Sequence, residues 1–274
     1  MRMLGTRFTH VIIGLSLGIV VSARPVLAAD CSNGANFGGW LDRFRKQAAS
    51  EGIGQRTIAA ALGNVSYDPK VIAHDRSQGV FKQTFERFAG RMVSPARLRI
   101  GANRLKQYAG TFVRIDHQFG VPAAVIVAIW GLETDFGANN GRFPTIRSLA
   151  TLAYDCRRSD MFRAELIDAL RIVQRGDLTP GEMHGAWAGE IGQTQLMPSS
   201  YLKFAVDFDG NGRRDLIHSV PDTLASIANL LKSFGWAPGP YAEGSANFAV
   251  LAAWNKSTVY QKTIAAFAQR LDGG

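Results

Sequence analysis

The feature that most constrains the fold is the segment VPAAVIVAIWGLETDFG (121–137), in which an acidic side chain, Glu133, closes a run of apolar and small residues that begins at Pro122. Pro122 suits the first position of a helix, and the Ala, Val and Ile residues after it leave no polar face. The pattern therefore predicts a helix buried on all sides. A carboxyl group that loses water at the end of such a helix has a raised pKa and keeps its proton near neutral pH, as a general acid must. The alternative is a solvated or capping glutamate without a catalytic role.

Residues 1–28 have the pattern of a secretory signal peptide. Basic residues precede an apolar run at 11–21, and a small-residue cleavage site ends at Ala28. No later stretch reaches the roughly 18 uninterrupted apolar residues of a spanning helix. Asp30, rather than a small residue, precedes Cys31, so we expect a periplasmic protein without a lipid anchor.

After removal of this segment the chain contains two cysteines, Cys31 and Cys156. Export into an oxidising compartment favours a disulfide between them. Closing so long a loop could stabilise the fold by about 4 kcal/mol in the chain-entropy model. The alternative, a nucleophilic Cys156, has little support because its segment DCRRSD contains no histidine.

The net charge constrains the partners. It is +9 for the whole chain and falls to +6 once Arg2, Arg7 and Arg24 leave with the signal peptide. A basic exported protein suits anionic wall polymers or membrane surfaces, and the chain has no zinc-finger spacing or basic-aromatic repeat. We therefore expect no nucleic-acid partner.

Helical periodicity and helix-start signals predict a mainly helical chain. Ser94 followed by Pro95 predicts a helix that runs to about Phe119 and ends at Gly120. Residues 176–220 are rich in Gly, Pro and polar residues, which predicts loops with room for a small hairpin. Further helices are predicted from Thr145, Ser159 and Pro221, within 199–206, and as two amphipathic segments in 245–271.

Two polar segments have the composition of a sugar site. GEIGQTQLMPSSY (189–201) offers the amides of Gln193 and Gln195 to a ligand rich in hydroxyl and amide groups, although an ordinary turn before a helix would read the same way. AAWNKSTVY (252–260) adds an amide, Asn255, to the aromatic faces of Trp254 and Tyr260. Trp254 alone could equally be a core residue.

The segment DFDGNGRRDLIH (207–218) resembles a calcium loop. Its twelfth position holds His218 instead of the usual bidentate glutamate, so Asp222 would have to complete the shell. A solvated turn is the alternative. The predicted ligands are Asp207, Asp209, Asn211, the backbone carbonyl of Arg213, Asp215 and Asp222.

The carboxylates around Glu133 bear on the reaction type. Asp135 lies two positions further along the same helix and so points elsewhere. A glycosidase of the two-carboxylate kind needs a second acid about 5 to 9.5 Å away. Candidates for that second acid are Glu190 and Asp155.

Taken together and in this order, GLETDFG, GAWAGEIGQTQLMPSSY, VDFDGNGRRDL and WNKSTVY resemble the membrane-bound lytic murein transglycosylase B family of the lysozyme-like superfamily. With the upstream segment RFAGRMVSPARLRIGANRL, the resemblance covers about residues 37–271. It implies a mainly α (α+β) fold with a lysozyme-like catalytic core at 121–274. It also implies an additional N-terminal helical region at 29–120 and a small EF-hand-like calcium-loop subdomain at about 176–222.

The resemblance further implies that the β-1,4 bond between N-acetylmuramic acid and N-acetylglucosamine in peptidoglycan glycan strands is cleaved without water, leaving a 1,6-anhydro-muramoyl end. By position it assigns Glu133 as the single catalytic acid/base, and Gln195, Asn255 and Tyr260 to the cleft. It also supports the calcium ligands, Asp215 excepted. The full set of predicted substrate contacts is Gln193, Gln195, Trp187, Trp254, Asn255 and Tyr260.

Two departures from the family pattern affect these details. Ala186 stands where some members have a sugar-contacting serine, and the calcium loop is one residue longer before Asp222. We expect a structural calcium ion, no cofactor for the chemistry, a monomer, and a partner from the cell-wall or secretion machinery. A hydrolytic muramidase on the same core and a non-catalytic peptidoglycan-binding scaffold are the alternative functions.

Overall fold

The computed structural model describes residues 34–77 and 83–273. The predicted signal peptide and Cys31 lie outside the described residues. Thirteen α-helices make up most of the described chain, which confirms the predicted mainly helical fold. They are α1 (Phe37–Ser50), α2 (Gln55–Leu62), α3 (Pro69–Arg76), α4 (Phe85–Met92), α5 (Pro95–Gln107), α6 (Ala109–Phe119), α7 (Ala123–Thr134), α8 (Thr145–Tyr154), α9 (Ser159–Arg175), α10 (Pro198–Phe204), α11 (Val220–Ser233), α12 (Ala246–Trp254) and α13 (Thr258–Asp272).

Within residues 34–77 and 83–273 the only sheet consists of two strands of two residues each. Strands β1 (Phe143–Pro144) and β2 (His184–Gly185) pair antiparallel, with Phe143 opposite Gly185. The predicted loop region at 176–220 is confirmed, with α10 as its short helix and a 3-10 turn at Gly192–Thr194.

Helix α7 lies at the centre of the fold because it has no polar face. Every residue from 124 to 132 is buried, and α5, α11 and α13 pack against it. Each fully buried Val, Ile or Leu contributes about 1.5–3 kcal/mol relative to exposure. A glycine is needed at 131, since a Cβ there would lie 2.7 Å from the Phe136 ring and 3.1 Å from that of Phe267.

The predicted single helix from Ser94 to Phe119 is wrong at one point. The backbone leaves the helical region at Tyr108 (φ −108°, ψ 22°), so α5 ends and α6 begins there. The Tyr108 ring packs edge-on against Trp130 of α7 at 6.1 Å, and this tertiary contact overrides the continuous periodicity. The predicted cap at Ser94 and the predicted helix end at Gly120 are confirmed, and Gly120 has a left-handed conformation (φ 68°).

The N-terminal helices share the hydrophobic core of the rest of the chain. Phe37 and Trp40 of α1 pack edge-on against Tyr154 of α8 at 5.5 and 5.8 Å. Buried Asp75, at the end of α3, pairs with Arg157 and Arg158 beyond α8. Because one core includes residues from both segments, the contacts do not mark a border between 29–120 and 121–274, and this border stays a prediction.

In the part of the chain that the structure describes, no single helix combines the length and apolar character needed to cross a membrane. Helices α6 and α7 have the required length and apolar character only when they are taken together, and this pair is bent by 110°.

Candidate active site

Glu133 lies in the last turn of α7, followed by an unusual backbone. The three residues after Thr134 all have positive φ: Asp135 (50°), Phe136 (60°) and Gly137 (82°). A bulky residue such as Phe136 rarely adopts this conformation, and such strain collects at functional sites. Helix α7 therefore stops abruptly just after Glu133.

Contacts on both sides hold this helix end in place. The guanidinium of Arg97 on α5 donates to Asp135 Oδ1 through Nε at 2.8 Å and through Nη2. The Phe136 ring packs edge-on against Trp130 at 5.7 Å. Asp135 lies just beyond the end of α7, and its carboxylate is engaged with α5.

The two oxygens of the Glu133 carboxyl have different surroundings. Oε1 accepts hydrogen bonds from Trp254 Nε1 at the end of α12 and from the Tyr260 hydroxyl at the start of α13, both at 2.7 Å. Oε2 is accessible and has no hydrogen bond to any described residue. A proton on this carboxyl is therefore carried by Oε2, where a ligand can reach it.

Burial raises the pKa of Glu133, and it outweighs the opposite effect of the hydrogen bonds from Trp254 and Tyr260. The negative charge of Glu190 raises it further. The negative end of the α7 dipole acts in the same direction. Burial, followed by the Glu133 charge, also raises the pKa of Tyr260 well above 10, so this phenol stays a hydrogen-bond donor.

A cavity of about 340 Å³ opens beside the Glu133 carboxyl. Three of the six predicted substrate contacts, Gln195, Trp254 and Asn255, line this cavity. Tyr260 is not a lining residue, but its hydroxyl donates to Glu133, which is. The lining residues are Glu133, Ala186, Glu190, Thr194, Gln195, Leu196, Trp254 and Asn255.

The Gln195 side chain holds the cavity wall together. Its Nε2 donates to the carbonyls of Asn140 (2.9 Å) and Gly192 (2.6 Å), and its Oε1 accepts from the N–H of Ala186 (3.0 Å). The backbone of Gln195 has a left-handed conformation (φ 52°). Both amide protons are thus used within the protein, and Gln195 shapes the wall.

Gln193 lies behind the wall instead of on it. The side chain is buried; Oε1 accepts from Trp130 Nε1 and Nε2 donates to the carbonyl of Ile217, both at 2.9 Å. The Thr134 hydroxyl donates to the Gln193 carbonyl at 2.9 Å. These bonds connect α7 to the segment 207–222, here called the acidic loop, and they leave Gln193 without access to the cavity.

Of the remaining predicted substrate contacts, Trp187 lies outside the cavity and Asn255 lines it. Trp187 stacks on His74 with 6.3 Å between ring centroids and is outside the cavity lining. Asn255 lines the cavity; its Oδ1 accepts from the N–H of Ser257 at 2.9 Å, while its Nδ2 has no partner among the described residues. Asn255 can therefore donate to a ligand.

The structure separates the two candidates for a second carboxylate. Asp155 is buried and paired with Arg76 at 2.7 Å, outside the cavity lining. Glu190 shares the cavity with Glu133, and burial raises its pKa. Its Oε2 accepts from the N–H of Ala188 at 3.0 Å.

The acidic loop brings together three of the predicted calcium ligands. Carboxylate oxygens of Asp207, Asp209 and Asp222 lie within 4.8 Å of one another. Asp215 is not in this group, because its Oδ2 pairs with Arg213 and with His218 Nδ1, both at 3.0 Å.

Asn211 lies on the same loop, and its Oδ1 accepts from the N–H of Arg213 at 2.9 Å. Hard oxygen ligands with several negative charges are what Ca²⁺ prefers, so the donor set fits this ion.

Cys156 lies in the exposed turn between α8 and α9 and is not part of the cavity. No cysteine in the described ranges is free. Its predicted partner, Cys31, falls in the undescribed part of the chain.

The most direct feature of the site was not predicted from the sequence. Trp254 and Tyr260 are predicted as sugar contacts, whereas in the structure both donate to Glu133 from positions 121 and 127 residues away. A buried carboxyl needs hydrogen-bond donors, and an indole and a phenol in one polar segment are a sequence signal for such donors.

Comparisons with known proteins identify the family of the chain. The model of the transglycosylase SLT domain matches residues 36–246. The membrane-bound lytic murein transglycosylase B of Escherichia coli K12 is 35% identical over 162 residues, which are 59% of this chain and 45% of that protein. The match thus spans less than half the length of that relative.

Solved structures of similar proteins extend over more of the chain. SltB3 of Pseudomonas aeruginosa, in complex with NAG-anhNAM-pentapeptide, is 33% identical with a TM-score of 0.83, covering 88% of this chain and 80% of that one. Slt35 of E. coli, in complex with calcium, is 24% identical with a TM-score of 0.75, covering 89% and 95%. These similarities confirm the lysozyme-like fold, and the chain belongs to the transglycosylase SLT domain family.

Proposed function

We propose that this chain is a peptidoglycan lytic transglycosylase, which cleaves the β-1,4 bond between N-acetylmuramic acid and N-acetylglucosamine and leaves a 1,6-anhydro end. The observation that carries the proposal is the Glu133 carboxyl, held through Oε1 by two donors and accessible through Oε2 beside a polar cavity. The glycan fragment bound by SltB3, a protein 33% identical to this chain, supports the substrate class.

In the first step Glu133 acts as a general acid. Its Oε2–H donates to the glycosidic oxygen while the bond from that oxygen to C1 breaks. The departing proton leaves a carboxylate, and the hydrogen bonds from Trp254 and Tyr260 stabilise this anion more than the neutral acid. The N-acetyl carbonyl of the substrate can stabilise the positive charge at C1.

In the second step Glu133 acts as a base. The carboxylate takes the proton of the substrate's own C6 hydroxyl, whose oxygen then bonds to C1, and the acid form of Glu133 is restored. No water is consumed. The attacking group belongs to the substrate, so its effective concentration is high and no second carboxylate has to position a water.

The cavity residues have distinct proposed functions. Asn255 offers its free amide N–H to a sugar hydroxyl or N-acetyl oxygen, and the exposed part of the Trp254 ring packs on a sugar face. Gln195 keeps the wall in shape through its three hydrogen bonds. Gln193 and Trp187 support the site from outside the cavity.

Product analysis on purified peptidoglycan tests the proposal against both alternatives. A transglycosylase clears the suspension and releases fragments lighter by one water than those of a muramidase. Hydrated fragments would favour a hydrolase, with Glu190 as its second acid. No fragments at all, with binding retained, would indicate a scaffold. The matched control is Glu133→Gln, which should release no fragments.

We also propose that Asp207, Asp209 and Asp222, with Asn211 and the carbonyl of Arg213, hold a structural Ca²⁺. Their clustered oxygens support this, and so does the calcium in the structure of Slt35. The ion would offset the repulsion among three carboxylates and take no part in the chemistry. Adding EDTA should lower the melting temperature of the protein by several degrees, and excess Ca²⁺ should restore it. A melting temperature that EDTA does not change would contradict calcium binding.

Export to the periplasm, cleavage after Ala28 without lipid attachment, and a disulfide between Cys31 and Cys156 complete the proposal. The basic charge of the mature chain suits a cell-wall location, where a wall or secretion partner would recruit it. The intact mass of the protein from the periplasm, before and after reduction, tests the processing and the disulfide. An acylated Cys31 would overturn this part of the proposal.

A further inference from the structure

We propose that Glu190 is a positioning residue of this cleft: in its ionised form it keeps the proton on Glu133, so that the acid is ready to donate at neutral pH. The inference rests on the proposed transglycosylase activity and adds a second functional carboxyl group to the single acid/base that the mechanism uses.

The first support is the shared cavity. Glu133 and Glu190 both line it, and no lysine, arginine or histidine is among its described lining residues. Two carboxyl groups that line one cavity, with no cationic side chain among its described lining residues, repel each other when both are ionised. Such a pair retains one proton over a pH range in which two separate carboxyls would both be ionised.

The second support is the rigid attachment of Glu190. The Thr145 hydroxyl donates to its backbone carbonyl at 3.0 Å, and the N–H of Ala188 donates to its Oε2 at 3.0 Å. Gly189 has a φ of 97°, and a side chain there would run into Leu149. Oε1 of Glu190 accepts no hydrogen bond from any other described residue.

The third support is the different surroundings of the two carboxyls. Burial raises the pKa of both, and each has two hydrogen-bond donors that act in the opposite direction. Glu133 in addition lies at the negative end of α7, and the charge of Glu190 raises its pKa further. The pair therefore ionises in order, with Glu190 first, and the shared proton stays on Glu133.

Other charged groups near Glu133 do not replace Glu190. Helix α13 contributes the neutral phenol of Tyr260, and α5 contributes Arg97, whose guanidinium is paired with Asp135. Helix α11 carries its charged residues, Asp222 and Lys232, in its first and last turns. The 3-10 turn at 192–194 presents neutral side chains.

The test is a carbon-13 NMR titration of the Glu133 carboxyl, assigned with Glu133→Gln, in the wild type and in Glu190→Gln. We expect the midpoint of Glu133 to fall by at least about half a pH unit in Glu190→Gln. The basic limb of the pH profile of kcat/KM should shift to lower pH by the same amount. Glu190→Asp, which keeps the charge, should restore most of both values.

The matched control is Glu243→Gln, which removes one negative charge from an exposed ion pair with Lys262. It should leave the Glu133 midpoint unchanged. An unchanged midpoint in folded Glu190→Gln would overturn the proposal. If that variant does not fold, the wild-type titration decides, and ionisation of Glu133 before Glu190 would overturn it equally. The midpoints do not depend on turnover, so an enzyme that released no anhydro products would contradict the proposed function alone.

Discussion

The active-site cavity and the acidic loop each contain a buried carboxyl group, Glu133 and Asp222 respectively, but the two carboxyls differ in how many of their oxygens accept hydrogen bonds. Burial raises the pKa of Glu133 and also that of Asp222. Both oxygens of Asp222 are occupied: Oδ1 accepts from the N–H groups of Phe208 and Asp209, and Oδ2 from that of Asp215. Glu133 leaves Oε2 free. A free oxygen, and not burial, is therefore what separates a carboxyl that can exchange protons from one that holds a loop.

The two regions also differ in how they tolerate charge. In the loop, three carboxylates lie together, which favours a divalent cation as their common partner. In the cleft, the donors Trp254 and Tyr260 are neutral, so the carboxyl can carry its proton and also release it. The same residue chemistry thus supports a fixed structure in one place and a reaction in the other.

The largest expected effect comes from Glu133→Gln. The amide cannot donate a proton and take it back, so the rate on peptidoglycan should fall at least about 100-fold while binding of glycan strands persists. Turbidity assays and binding to insoluble peptidoglycan measure the two properties. A variant that kept more than about a hundredth of the rate would contradict the role of Glu133 as the acid and base of the reaction.

The next effect concerns the loop. Asp222→Ala leaves three backbone N–H groups without their acceptor and should lower the free energy of unfolding by about 2 kcal/mol. Chemical denaturation measures this loss, with Glu133→Gln as the control that should not show it. Full stability of Asp222→Ala would mean that the loop does not depend on this carboxyl.

A smaller effect is expected from Tyr260→Phe. Losing one hydrogen bond to the carboxylate formed in the reaction should slow turnover about tenfold. That bond lowers the pKa of Glu133, so its loss raises the pKa, and the basic limb of the pH profile should move to higher pH. This is the opposite direction to the shift expected for Glu190→Gln. A shift to lower pH would contradict the assigned hydrogen bond.

How far these features could be predicted differs between the two regions. An apolar run with one acid was enough to predict the buried helix and Glu133, because burial follows from local composition. The loop ligands Asp207 and Asp209 were predictable from their spacing. The partners of Glu133 were not, since contacts over more than 120 residues depend on how α12 and α13 pack. For the same reason the position of Gln193 was not predictable: it is predicted as a sugar contact, but its side chain is buried and accepts a hydrogen bond from Trp130.

The smallest expected effect is a stability gain in Glu133→Gln. The pKa of Glu133 is raised in the folded state, so the folded protein binds the proton more tightly than the unfolded chain. Wild-type stability therefore falls as the pH rises from the ordinary glutamate pKa through the raised one. The glutamine variant lacks this loss and should be more stable than the wild type at neutral pH and above, with no gain in acid. Thermal unfolding between pH 4 and 8 measures the difference, and a gain that was equal at every pH would contradict the raised pKa.

The most direct measurement is digestion of purified peptidoglycan in water enriched in oxygen-18, followed by mass analysis of the muramoyl ends. A single carboxyl that gives its proton to the leaving oxygen and then recovers one from the C6 hydroxyl predicts anhydro ends with no label at C1. Labelled, hydrated ends would show that water attacks C1 and would contradict a mechanism in which Glu133 alone performs both steps.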